Sequence, residues 1–216
     1  MTWTLAQRLF LLCYSLEKEK FELADHNGRG AVLRAAALAE LSLDGKLTTV
    51  SGNKVVRSPG QPPSDPFLAD VWNDVSADEP QRWLPLVHHK AHTAQEPVRA
   101  QLAATDTITV RRHKRLGVLP VDRVTLDDTG PVVALRDGLR DAVLSGAGQA
   151  ARLPLPDAVT AVFAAEVEMN SVFTRTDRRE HKETFATLAV RVDDALPGLR
   201  RALHDTYLSN QVTGGG

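Results

Sequence analysis

The run of residues 31–43 constrains this chain most, because Leu33, Ala37, Leu38 and Leu41 recur at helical spacing and the pattern stops at Asp44-Gly45, a glycine C-terminal signal. An amphipathic helix of this kind is stable only against elements that cover its apolar side. A first partner is near: Thr4 can cap a helix in which Leu5, Leu9, Leu12 and Leu16 share one face, with Phe10 and Cys13 beside it. Further helices are predicted over residues 67–75, from Trp83, over 98–104, 132–144, 155 to about 173, and 177–208, the last broken near Pro197-Gly198. Alanine and leucine are abundant and aromatic residues make up only 5% of the chain, so helices rather than a sandwich or barrel carry the architecture. The expected fold class is mostly α.

Two hairpins are predicted between these helices. Residues 46–50 and 53–57, separated by Ser51-Gly52, form a small one. A larger one follows Thr107-Ile-Thr-Val and ends before Gly130-Pro131, and Arg111, Arg112, Lys114 and Arg115 crowd its tip. On a protein of net charge −1 such a local patch marks where an anionic partner would be met. Residues 18–23 read as a short extended piece leading to Asp25-His-Asn-Gly-Arg-Gly, a loop whose glycines permit positive φ, and residues 58–66 read as a proline-rich surface loop. No internal repeat is visible, so the economical division is one domain over residues 1–209 and a flexible tail over 210–216.

Several function classes are unfavoured. With one cysteine, Cys13, an intrachain disulfide and a four-cysteine metal site are excluded, and a reducing compartment fits. No apolar run approaches the roughly 20 residues needed to cross a bilayer, and the start lacks the basic n-region of an export signal, so a cytoplasmic protein with at most peripheral membrane association is expected. No nucleophile elbow, Walker loop or dinucleotide fingerprint is present, and no catalytic residue or cofactor is assigned. His88-His-Lys-Ala-His92 would place His88 and His92 on one helix face, but a third ligand and the usual glutamate are missing, and no metal is assigned. Trp3, Trp72 and Trp83 fit packing better than base stacking, and Asp177-Arg-Arg-Glu-His-Lys-Glu reads as an exposed helix face.

The basic hairpin keeps three readings. It is a wing meeting nucleic-acid phosphates, a membrane contact that presses Leu116, Val118 and Leu119 into the interface, or a solvated turn with a packing or oligomer contact. Arg29 and Arg34 supply a second basic pair near the start of the helix that follows the glycine loop.

The collinear order of Leu5-Ala-Gln-Arg-Leu-Phe-Leu-Leu, Leu33-Arg-Ala-Ala-Ala-Leu-Ala-Glu-Leu-Ser-Leu-Asp-Gly-Lys-Leu47, Asp65-Pro-Phe-Leu-Ala-Asp-Val, and Arg115-Leu-Gly-Val-Leu-Pro120 leading to Val124-Thr-Leu126 resembles the Golgi phosphoprotein 3 family, including its actinobacterial members. The resemblance implies a compact single helical domain with a protruding β-hairpin used in oligomer formation and membrane contact. It also implies a non-enzymatic adaptor whose eukaryotic relatives bind phosphatidylinositol 4-phosphate and the cytoplasmic tails of membrane enzymes. Arg34 matches an arginine of that lipid pocket, whereas a pocket tryptophan falls near Asp25 and two pocket arginines fall on His92 and Gln95. These replacements lower the positive charge, since histidine is only partly protonated at neutral pH.

The expectation is therefore a peripheral adaptor that binds an anionic, phosphoinositide-like headgroup through Arg29, Arg34, Lys90, His92 and Arg99. Arg111, Arg112, Lys114, Arg115 and Leu116 would make the hairpin's membrane or homo-oligomer contact, and a membrane-protein client is a further possible partner. The runner-up is a DNA-binding module that uses the hairpin as its wing.

Overall fold

The computed structural model describes residues 3–18, 20–21, 26–50, 53–113 and 121–213. Helix α1 (Leu5–Leu12) starts at a capping box, in which the Thr4 hydroxyl accepts from the Gln7 N–H at 3.2 Å and the Gln7 side chain accepts from the Thr4 N–H at 3.1 Å. The helix is shorter than its leucine stripe suggests. After Cys13 the chain turns extended, and β1 (Tyr14–Ser15) pairs antiparallel with β2 (Lys20–Phe21), which takes Leu16 off the helical face.

Helix α2 (His26–Leu43) begins earlier than expected and absorbs Gly28, Arg29 and Gly30, so no positive φ is needed at those glycines. It is also buried on all sides: every residue from Ala31 to Ala39 is at most 2% exposed. The expected single stripe is thus wrong in width, because α2 is the central post and its alanines let neighbours approach from every direction. Gly30 marks the tightest approach. A Cβ there would stand 1.6 Å from the Ala91 carbonyl oxygen, so only glycine admits the neighbouring backbone.

The small hairpin is β3 (Leu47–Val50) and β4 (Lys54–Arg57), with Leu47 opposite Arg57. Helix α3 (Pro66–Asn73) follows the proline-rich loop, capped by Asp65 Oδ1 accepting from the Leu68 N–H at 2.9 Å. Strand β5 (Gln81–Arg82) then joins the outer side of β4, a third strand that the sequence reading missed. Helix α4 (Trp83–His88), a 3₁₀ turn (Ala91–Thr93) and α5 (Gln95–Ala104) run into the larger hairpin, β6 (Ile108–His113) and β7 (Val121–Leu126).

The second half is helical: α6 (Gly130–Leu144), α7 (Ala147–Ala150), α8 (Leu155–Glu166), α9 (Arg175–Glu180), α10 (Lys182–Ala195) and α11 (Leu199–Thr213). Helix α8 stops seven residues short of Phe173, where Glu168 takes φ 50°, and Thr174 opens α9 with its own capping box. The Asp177 run is only partly a solvated face, since Asp177 accepts from Arg140 Nη1 at 2.8 Å. Helix α11 continues to Thr213, past the tail boundary expected at residue 210.

Among the described residues the fold is mostly helical, with small antiparallel sheets, as the composition predicted. One contiguous cluster of buried side chains runs from Leu5 to Leu203. Trp72 and Trp83 belong to it, their indole N–H groups donating to the Lys46 carbonyl at 3.2 Å and the Pro197 carbonyl at 2.8 Å. Among the described residues no helix is long and apolar enough to cross a membrane.

Candidate functional site

Arg34 sits on α2 among alanines and leucines, yet its guanidinium is only 2% exposed. A buried charge needs partners. Its Nε donates to the Leu86 carbonyl at 2.9 Å and its Nη1 to Asp74 Oδ2 at 2.9 Å, while its Nη2 is buried with no partner among the described residues. Burial pulls the Arg34 pKa below its ordinary value, opposed by the hydrogen bond and charge of Asp74 and by the charge of Asp70.

Asp74, the C-cap of α3, is the node of this site. Its Oδ1 also accepts from Lys90 Nζ at 2.6 Å and faces His89 Nε2 at 3.4 Å. Burial opposes its charge, but the hydrogen bonds from Lys90 and Arg34 and their charges prevail and hold the carboxyl below the usual range. Lys90 reaches it from a left-handed residue, φ 51°, between α4 and the 3₁₀ turn.

An open cleft of about 360 Å³ lies over this node. Arg34 and Asp74 line it, Phe67, Pro97 and Ala100 supply apolar walls, and Asp70, Lys90, Thr93 and Glu96 add polar groups. Two cations therefore share the cleft with three carboxylates. Sequence reading found the cations and missed Asp74, Asp70 and Glu96. Asp70 lay inside the quoted Asp65-to-Val71 motif, but no spacing rule connects it or Asp74 to residue 34, because the packing of α3 on α2 makes that connection.

The five expected headgroup residues do not converge on one point. Arg34 and Lys90 meet at Asp74. Arg29 is 8% exposed and its Nε donates to Gln95 Oε1 at 2.8 Å, so Gln95 is a buried neutral partner for an arginine rather than a cation facing the cleft. His92 is exposed and lines a separate recess of about 170 Å³ with His88, Ala31, Ala91, Thr206 and Asn210. Arg99 is half-buried on α5 and lines neither recess.

His88 and His92 do not share a helix face, since α4 ends at His88 and Lys90 reverses the chain. Folding still brings both to the smaller recess, where His88 Nε2 lies 3.2 Å from the Thr206 hydroxyl. Among the described residues no group of three histidine, cysteine or acidic side chains is placed to hold a metal ion.

The larger hairpin is anchored at its root and polar beyond it. Ile108 and Val124 are buried and Val110 and Leu126 pack on the core, all on one face by strand alternation. The other face carries Thr109 opposite Thr125 and Arg111 opposite Arg123, both arginines exposed. Arg123 had not been singled out, because it lies well beyond the basic run that ends at Arg115 and joins Arg111 only through the register. Arg112 stands opposite Asp122 in the ladder. Lys114, Arg115 and Leu116, with Val118 and Leu119, lie outside the described residues, as does Asp25.

The model of the family described as Golgi phosphoprotein 3 (GPP34) matches residues 5–206. The chain belongs to the Golgi phosphoprotein 3 family. The match covers every element from α1 into α11, so the Arg34 cleft and the hairpin both lie inside the Golgi phosphoprotein 3 region. No curated protein matches the chain.

Proposed function

We propose that this chain is a non-enzymatic peripheral membrane adaptor. It holds a phosphate-bearing lipid headgroup beside Arg34, uses its hairpin for membrane contact or self-association, and works on the cytoplasmic side of a membrane it does not cross. The observation that carries this reading is the buried Arg34 guanidinium at an open cleft, with Nη2 donors that no described residue uses. A ligand oxygen would satisfy them. Lys90 has two N–H donors beyond the one given to Asp74 and, at 54% side-chain exposure, can turn them outward.

Two features support the membrane part. Membership of the Golgi phosphoprotein 3 family carries an expectation of adaptor function. The register sets Arg123 directly opposite Arg111 on the exposed face of the hairpin, which extends the basic run on the side that would meet an anionic surface. A client protein and self-association belong to the same reading.

Vesicle flotation tests it. Phosphatidylcholine vesicles containing phosphatidylglycerol should carry the protein up, and phosphatidylcholine alone should carry less. Binding should weaken as salt rises from about 50 to 300 mM, and both Lys90→Ala and the pair Arg111→Ser with Arg123→Ser should reduce it, the hairpin pair without lowering Tm. Equal flotation with and without phosphatidylglycerol would overturn the proposal. A duplex-DNA band shift lost in the hairpin variant, with no lipid binding, would instead favour the wing.

A further inference from the structure

A site built only for anions would surround Arg34 with donors, and this one does not. Asp70 and Glu96, both exposed, line the same cleft as Lys90, and Asp70 lies near enough to act on the charge of Arg34. Asp74 already neutralises one positive charge there. A bare anion entering the cleft would face two carboxylates that no cation of the cleft pairs. The buried Nη2 of Arg34 nevertheless lacks an acceptor among the described residues.

One kind of ligand answers both halves of the cleft. Resting on the headgroup reading above, we infer that the preferred ligand is an aminoethyl phosphate, whose phosphate oxygens accept from Arg34 Nη2 and Lys90 while its primary ammonium donates to Asp70 and Glu96. A tetrahedral phosphate offers oxygens in several directions and so can meet two donors that approach from different elements, α2 and the turn after α4. The ammonium has three N–H donors for the carboxylates, whereas the quaternary ammonium of choline has none. Phe67, Pro97 and Ala100 suit the methylenes between the two charges. A volume of about 360 Å³ is at the small end of ligand sites and suits a headgroup rather than a whole lipid. The same chemistry occurs in phosphatidylethanolamine and in free phosphoethanolamine.

The full chain is floated with vesicles of phosphatidylcholine alone, phosphatidylcholine with phosphatidylethanolamine, and phosphatidylcholine with phosphatidylglycerol. Phosphoethanolamine, inorganic phosphate and ethanolamine are titrated in parallel by calorimetry. Phosphatidylethanolamine should raise the bound fraction at least threefold over phosphatidylcholine, and free phosphoethanolamine should bind at least tenfold tighter than either of its halves. Asp70→Asn combined with Glu96→Gln changes two exposed side chains. It should abolish the phosphatidylethanolamine preference and increase binding to phosphatidylglycerol, because the repelling carboxylates are gone.

Free phosphoethanolamine binding without vesicle binding supports the ligand chemistry and assigns a soluble source. Phosphatidylglycerol binding with no gain from phosphatidylethanolamine or phosphoethanolamine overturns this inference and leaves the headgroup reading standing. Absence of binding in every arm overturns both. A double variant that keeps the full preference also overturns the inference.

Discussion

Glu40 shows how far one side chain's setting departs from its appearance in the sequence. It reads as an ordinary polar residue of a helix. In the fold its carboxylate accepts from the Leu5 N–H at 2.7 Å and so serves the first turn of α1. Burial, with Asp44 and Asp65 nearby, raises its pKa from 4.5 to about 6, against the pull of the Leu5 hydrogen bond and Arg8. The native state therefore holds this proton more tightly than the unfolded chain, and its contribution to stability falls as pH rises from about 4.5 to 6. At neutral pH the ionised group, partly screened by solvent, costs on the order of 1 kcal/mol. Glu40→Gln keeps an acceptor for Leu5 and removes the charge. The variant should gain about 1 kcal/mol at pH 7.5 and show a flatter dependence of Tm on pH between 4.5 and 6, read by thermal melts across that range. Lower stability than the parent at pH 7.5 would refute this account. Arg34 teaches the complementary lesson: its presence in a helix was plain, but its solvation depends on Leu86 and Asp74, 52 and 40 residues away.

Helix α2 was legible as an element and illegible as a neighbour. Its leucine spacing and Asp44-Gly45 stop came directly from the sequence, and Gly45 adopts φ 69°. Its start did not, because Gly28 and Gly30 look like loop residues. Gly30 is needed inside the helix for the approach of the Ala91 carbonyl, a contact that exists only after the 3₁₀ turn packs on α2. Two glycine substitutions separate this effect from helix propensity. On an open helix face Gly→Ala gains up to about 1 kcal/mol, and Gly138 on α6 has nothing within 4 Å of its would-be Cβ. Gly138→Ala should raise Tm by a few degrees. Gly30→Ala should lower it, with overpacking costs of about 1–3 kcal/mol exceeding the propensity gain. Equal shifts for the two variants, measured by circular dichroism, would refute the close-approach explanation. The hairpin divides in the same way: its strands and basic run were readable, whereas the Arg111–Arg123 pairing required the register.

At the scale of the molecule, one buried cluster links the first helix to the last, and α2 touches α1, α3, α4, α8 and α11. Such a core has no internal boundary at which half the chain could melt first. Thermal unfolding followed by far-ultraviolet circular dichroism and by fluorescence of Trp3, Trp72 and Trp83 should give coincident transitions. A separation of several degrees would show a second cooperative unit. The helical class, the stop of α2 at Asp44-Gly45, the cap at Thr4 and the family were all determined by the sequence alone. They rest on periodicity, on backbone preferences of single residue types and on collinear motifs, none of which needs distant partners. The charge balance of the Arg34 cleft, the division of five basic residues among separate surroundings and the all-round burial of α2 were decided by tertiary structure. Electrostatic meaning depends on which opposite charge lies within a few ångströms, and α3, the 3₁₀ turn and α5 bring those charges to α2 only when the chain has folded.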